Sequence, residues 1–283
     1  MSVDPVTDAT TYAVILAALD LDLPPQGVLA ASAALARMFD ARMVGAAAGE
    51  CSISPYFAEG PVADKFLAEA ASDLRAQMKS LERQFRHAHA GQGERVEWRC
   101  AERLPDGFMV SAAGAADLIV VGRPSPQANL MRGPDVANLM MQAGRPVLVM
   151  QADATEFACE RVLVAWKDTR EARRAVHDAL PILRQADEVQ ILAIQESERS
   201  SSAVLSGAND VVTWLARHGV AAVATAQPDY EGVGRSIQGA AADMDADVVV
   251  AGAFGHSRFM EWLLGGVTRH LLRSPNMNVL FSH

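Results

Sequence analysis

No apolar run in this 283-residue chain approaches the roughly 20 residues of a membrane-spanning helix. Cysteine is scarce: Cys51, Cys100 and Cys159 are odd in number and far apart. That excludes a disulfide framework and points to a reducing compartment. No Cys-x-x-Cys pair or His/Cys cluster suggests zinc. Cationic residues are also in deficit, 25 Lys and Arg against 34 Asp and Glu, a net charge of −9. Nucleic acid and anionic membrane surfaces need clustered cations, so both are excluded as partners. The opening residues Met1–Asp8 are polar and acidic, unlike a secretory leader. The expected location is cytoplasmic.

What is present is a large apolar fraction, half of all residues, enough for a substantial core. The length suggests two domains, and the chain repeats itself. Ala116-Asp-Leu-Ile-Val-Val-Gly122 returns as Ala246-Asp-Val-Val-Val-Ala-Gly252. Pro146-Val-Leu-Val-Met150 returns as Asn278-Val-Leu-Phe-Ser282. Val14–Leu19 and Val162–Trp166 are apolar strands near the start of each copy. The period is too long for a solenoid and fits a duplicated domain. The copies are expected over residues 1–152 and 158–283, divided by the polar segment Ala152–Glu156.

Apolar strands alternate with helical stretches in both copies. The second half reads as strand 162–166, helix 170–183, strand 189–194, helix 208–218, strand 220–226, helix 233–243 and strand 247–251. A helix after Val267 and a strand at 279–281 complete it. The first half reads as strand 13–19, helix 25–39, strand 43–47, helix 62–88, strand 95–100, helix 105–114, strand 117–121 and strand 146–150. Near-continuous apolar strands between helices indicate a parallel sheet covered on both faces, a doubly wound α/β class. Phe66, Ala70, Leu74, Leu81 and Phe85 form one stripe of the long helix and are expected to pack on the sheet.

The segment Gly252-Ala-Phe-Gly255-His256-Ser-Arg258 follows the apolar run Val248–Ala251, and nine residues separate Gly255 from Gly265-Gly266-Val267-Thr268. Strand, glycines and helix start together suit a phosphate: glycine lets backbone N–H groups approach an anion, and the helix end adds its dipole. A plain strand-to-helix turn has the same composition. In an open α/β sheet, ligands sit beyond the carboxyl ends of the strands where the strand order reverses. The expected crevice therefore has Ala165, Trp166 and Lys167 on one side. On the other lie Ala251, Gly252, Gly255, His256, Gly265, Gly266, Val267 and Thr268. Thr268 either caps its helix or offers a hydroxyl to phosphate.

These residues resemble the universal stress protein family in its tandem two-domain form. The nucleotide binders of that family carry Gly-x-x-Gly, nine residues, then Gly followed by Ser or Thr. Here Gly252, Gly255 and Gly265 match, and Val267-Thr268 follow. The opening Arg161-Val-Leu-Val-Ala-Trp166 and the closing apolar strand also fit. The resemblance implies two flavodoxin-like domains in tandem, each a doubly wound, five-stranded parallel sheet. It also implies ATP or a related adenine nucleotide as ligand, with Mg²⁺ as a possible companion, and a role in stress survival. Pairing through edge strands is implied too, here Val279–Phe281 against Val147–Val149, within one chain or in a homodimer.

Three positions depart from the pattern. Gly266 stands where the binders have Ser or Thr. Lys167 aligns with their adenine-contacting Asp. The first half keeps an Asp, Asp20, but replaces the glycine loop by Gly122-Arg-Pro-Ser-Pro-Gln-Ala-Asn-Leu-Met-Arg-Gly133-Pro-Asp135. Prolines remove N–H donors, and Asp135 brings a negative charge to where a phosphate would lie. The first half is thus expected to serve dimerisation or regulation, and the second to hold the nucleotide. Two alternatives stand beside this reading. One is a nucleotide-independent interaction module of the same fold. The other is a slow ATPase, which needs a positioned base and a metal-binding acid, with only His256 and Glu261 at hand. Cys100 is expected in the core, and Cys51 in an accessible loop.

Overall fold

The computed structural model describes residues 11–51, 61–125, 129–195, 201–229, 231–254 and 265–283. Each half of the sequence supplies five strands. The first gives β1 (Val14–Leu19), α1 (Gln26–Phe39), β2 (Arg42–Gly49), α2 (Pro61–Ala88), β3 (Val96–Glu102), α3 (Pro105–Ala113), β4 (Leu118–Gly122), α4 (Val136–Gln142) and β5 (Val147–Met150). The second gives β6 (Arg161–Trp166), α5 (Arg170–Asp178), α6 (Leu180–Leu183), β7 (Glu188–Gln195), α7 (Ser201–Arg217), β8 (Val223–Pro228), α8 (Val233–Asp243), β9 (Val248–Gly252), α9 (Gly266–Arg273) and β10 (Asn278–Ser282). No described helix is long and apolar enough to cross a membrane.

The chain forms two compact units, and they do not divide at one point of the sequence. One unit holds residues 13–143 and 152–156; the other holds 144–151 and 157–283, with Thr11 and Tyr12. Strand β5 therefore sits in the second unit.

In the first unit the strand order is β3-β2-β1-β4, all parallel. The central strands are uncharged and almost wholly buried. Right-handed crossovers place α1 and α2 on one face and α3 and α4 on the other. β3 is the outermost strand and carries ion pairs on both faces, Arg42–Glu97 and Arg99–Glu97 on one and Arg75–Glu102 on the other. Cys100 lies on that strand and is exposed, which corrects its expected place in the core: the outermost strand has a neighbour on one side only, and its far end is left uncovered.

The stripe on α2 holds only in part. Leu74, Leu81 and Phe85 are buried, but Phe66 is 55% exposed. A helix of 28 residues runs about 42 Å, whereas the 8-residue strand it packs on spans about 26 Å. The first turns overhang the sheet.

The second unit has the order β5-β10-β9-β6-β7-β8. Five strands are parallel, and β5 runs antiparallel to β10 with Val279 opposite Val149 and Phe281 opposite Val147. The helix expected over 170–183 is broken: α5 ends at Asp178 and Pro181 opens α6, because proline suits a first helical turn and not an interior.

The internal repeat has a physical reason. Asp117 Oδ2 accepts from the backbone N–H groups of Ala13 and Val14, both at 2.9 Å. Asp247 Oδ2 accepts from Arg161 N at 2.8 Å. Each Asp returns a bond through its own N–H, to Val14 O and Arg161 O. The repeated Ala-Asp thus ties the start of one central strand to the start of its neighbour, once per unit.

Candidate functional site

β6 pairs with β9, with Ala165 opposite Ala251, while β7 lies on the other side of β6. The chain leaves β6 toward β7 and later returns to β9, so the strand order reverses at this pair. A cleft of about 190 Å³ opens there. Ala165, Trp166, Lys167, Ala251, Gly252, Gly265, Gly266, Val267 and Thr268 line it together. Gly255 and His256 lie outside the described residues, as do Arg258 and Glu261.

The cleft has two ends of different chemistry. Leu192 and Ile194 of β7, with Val233 and Ile237 of α8, make an apolar wall beside Trp166. The other end is backbone. Gly252 closes β9, and a Cβ there would lie 2.6 Å from the Ala172 nitrogen and 2.7 Å from the Glu171 carbonyl carbon. Only glycine lets α5 begin so close to the strand end.

Gly265 and Gly266 are different. Gly265 has φ −49° and ψ 142°, an ordinary extended conformation open to any residue. Gly266 is the first residue of α9. Among the described residues nothing lies within 4 Å of a Cβ built on either. Among the described residues, nothing requires glycine at these two positions. α9 also starts without a side-chain cap, leaving its first-turn N–H groups to another partner. Thr268, in that first turn, is buried.

The first unit builds the same position and fills it. α4 is a helix the sequence reading missed, although Asp135 followed by Val-Ala-Asn-Leu-Met-Met is a fair start signal. The Asp135 carboxylate caps it, accepting from Ala137 N at 2.9 Å and Asn138 N at 3.3 Å. Those are donors of the kind a phosphate would otherwise use. The loop before it lies across the ends of β1 and β2: Leu21 N donates to Arg132 O at 2.9 Å and Glu50 N to Met131 O at 2.8 Å. Arg132 Nε reaches Asp22 Oδ1 at 2.7 Å. Asp20 is turned inward, accepting from Asp22 N and Leu23 N. A Cβ on Gly133 would stand 1.7 Å from its Oδ2, so loop and carboxylate are in tight contact. Burial pushes the Asp20 carboxyl above its ordinary range, against the two backbone hydrogen bonds.

Several lining residues were not anticipated. Thr169 caps α5, accepting from Ala172 N at 3.3 Å, a signal present in its spacing before the helix. Glu171 had no signal. It lines the cleft and is 5% exposed. Burial pushes its carboxyl up, but hydrogen bonds from Arg170, its own backbone N–H and Thr169 outweigh that and hold it below the usual range. Among the described residues, no group of three metal-ligating side chains occurs.

Residues 159–283 match the family model of the Universal stress protein family. No curated protein matches the sequence. Among solved structures, the chain is similar to a universal stress protein from Archaeoglobus fulgidus DSM 4304, at 15% identity and TM-score 0.68, covering 95% of each chain. It is also similar to a functionally unknown protein from Pseudomonas aeruginosa PAO1, at 15% identity and TM-score 0.62, covering 96% of this chain and 93% of that one. At such identities the likeness shows the fold, here over nearly the whole chain.

Proposed function

We propose that this chain, whose residues 159–283 match the universal stress protein family model, holds one adenine nucleotide, ATP, in the cleft of its second unit. The first unit, its own cleft filled, has a dimerisation or regulatory role. One observation carries this reading. At equivalent places in the two units, a helix N-terminus is capped by Asp135 in the first and left uncapped behind two glycines in the second. Surplus glycines at an uncapped helix start suit close approach of an anion to backbone N–H groups.

The division of the cleft supports a ligand with a flat apolar part and an anionic part. The ring would lie against the Leu192, Ile194 and Val233 wall. The phosphates would lie over Gly252 and Gly265–Thr268. That adenine is the ring is an inference from the family resemblance. Lys167 occupies the strand end where the family has an Asp.

Glu171 favours a second reading, a nucleotide-independent interaction module, because a buried carboxylate beside the glycines repels phosphate. Calorimetric titration of nucleotide-stripped protein with ATP and Mg²⁺ decides between them. The proposal expects saturable binding at about one site per chain. Absence of heat up to millimolar nucleotide overturns it.

A further inference from the structure

A second cavity, of about 450 Å³, opens between α5 and α7. Its origin is the helix arrangement. α5 packs over β9 and β10, and α7 packs over β7 and β8. β6 lies between those pairs, and its face is left as a floor with little helix above it. In the first unit the helices at the same places, α1 and α2, pack against each other.

The lining is aromatic and aliphatic, with acid at the rim. Val176 and Val211 are buried at its base, and Trp166 and Trp214 present their rings. Trp214 is braced against His218, with ring centroids 4.2 Å apart. Trp166 also borders the glycine cleft, but strand alternation turns its side chain away from Ala165, Leu192 and Ile194 and toward this cavity. Of the charged rim groups, Arg173 is bonded to Asp168, at 3.1 and 2.5 Å. These two charges cancel. Asp210 has no ion pair or hydrogen bond among the described residues. Asp210 is thus the rim carboxylate that the Arg173–Asp168 pair leaves over.

We propose that this cavity binds a planar organic cation, an aromatic amine or quaternary ammonium compound. Two indoles supply flat apolar contact and an attractive face for positive charge, and Asp210 supplies the counter-ion. The volume is within the range of sites for drug-sized molecules. A planar anion gains the same apolar contact but meets Asp210 and a chain of net charge −9. The site is separate from the nucleotide cleft and stands whether or not nucleotide binds.

The test uses two fluorescent planar probes on the nucleotide-stripped full chain: berberine, a quaternary cation, and anilinonaphthalenesulfonate, an anion. Berberine is expected to saturate at about one per chain and to bind about tenfold more tightly than the anion. Gly207 lies on the α7 wall of the cavity, with nothing within 4 Å of a Cβ built there. Gly207→Phe should fill the cavity, keep the fold and weaken berberine at least about tenfold. Asp210→Asn, an exposed change that cannot unfold the unit, should remove most of the preference for the cation. No saturation by millimolar berberine overturns the proposal. So does equal binding of the two probes, or berberine affinity unchanged in both variants.

Discussion

Replacing Gly265 and Gly266 by alanine should make the protein more stable and a poorer nucleotide binder at once. Neither position needs glycine for its backbone angles, and neither has a described neighbour within 4 Å of a new Cβ. Each Gly→Ala change at a compatible site gains about 0.4–1 kcal/mol, mainly by restricting the unfolded chain. At Gly266 the gain includes helix propensity at the start of α9. At Gly265, the N-cap of α9, alanine is the poorer cap and offsets that gain, so the pair should add about 0.5–1 kcal/mol. For a unit of this size that is a rise of about 2–4 °C in melting temperature. The two methyl groups meanwhile project toward the place assigned to phosphate. Overpacking there costs about 1–3 kcal/mol, a loss of affinity of roughly 5- to 150-fold. Differential scanning calorimetry of stripped protein reads the first effect, and isothermal titration with ATP and Mg²⁺ the second. Gly252→Ala is the contrasting control, since its Cβ meets the backbone of Ala172 and Glu171 and should lower stability directly. A lower melting temperature in the double variant would mean that the fold needs these glycines. Higher stability with unchanged nucleotide affinity would remove the glycine turn from the site altogether.

Four other expectations follow from the same geometry. Asp117→Ala strips the acceptor from two part-buried N–H groups and should cost about 1–3 kcal/mol in urea unfolding, with Asp247→Ala weaker because it releases one such bond. Iodoacetamide followed by mass spectrometry should label exposed Cys100 and spare Cys159 in the native protein, since burial pushes the Cys159 thiol up to about 11. Burial holds His89 below its ordinary 6.5, so the folded state binds that proton more weakly than the unfolded chain. Stability should be full above about pH 6.5 and decline below it, and urea melts at pH 7.5 and 5.5 should show a smaller drop in His89→Gln than in wild type. Asp20 is shifted the opposite way, so its folded state binds the proton more tightly, and stability is lost as pH rises from its ordinary range through the raised value. Asp20→Asn keeps an acceptor for Asp22 and Leu23 and should equal or exceed wild-type stability at pH 7, by up to about 1 kcal/mol.

Much of the fold was legible because buried parallel strands are written as short apolar runs. Val248–Gly252 and Leu118–Gly122 could hardly be read otherwise, and helix 233–243 falls where its period placed it. The misreadings share a cause: local pattern does not report tertiary position. Cys100 sits in a strand-like run, but only the strand order makes that run an edge. Phe66 fits the stripe of α2, but only the length of the facing strand exposes it. α4 was missed because its helix is short and its cap, Asp135, was read as a charge rather than as a start signal. At the site, the glycines and the ends of β6 and β9 were visible because their spacing is local. Leu192, Ile194, Val233 and Ile237 were not, since each looks like ordinary core until the chain is folded around the cleft. Glu171 is the hardest case: nothing in Thr-Arg-Glu-Ala distinguishes a solvated helix-start acid from one buried beside Gly252.

The two units show how one fold position can be retained for different ends. After β4 and after β9 the chain must turn into a helix over the sheet's carboxyl edge, and that helix start has N–H groups in need of acceptors. The first unit answers with its own atoms. Asp135 takes the helix donors, Met131 and Arg132 carbonyls take N–H groups beyond β2 and β1, and Asp20 is held against Gly133. Every one of these contacts is internal, so this edge gains nothing from a ligand and its stability does not depend on one. The second unit leaves the equivalent donors uncapped and places glycine where the fold is indifferent to it. A helix start capped by glycine rather than Asp forgoes a few tenths of a kcal/mol, and an unneeded glycine in a helix forgoes up to about 1 kcal/mol. Both losses fall at the same cleft, and an anion bound there would recover the first and explain the second. Stability surrendered locally, where the sister unit shows that the same fold can retain it, is the physical ground for assigning ligand binding to the second unit rather than to the first.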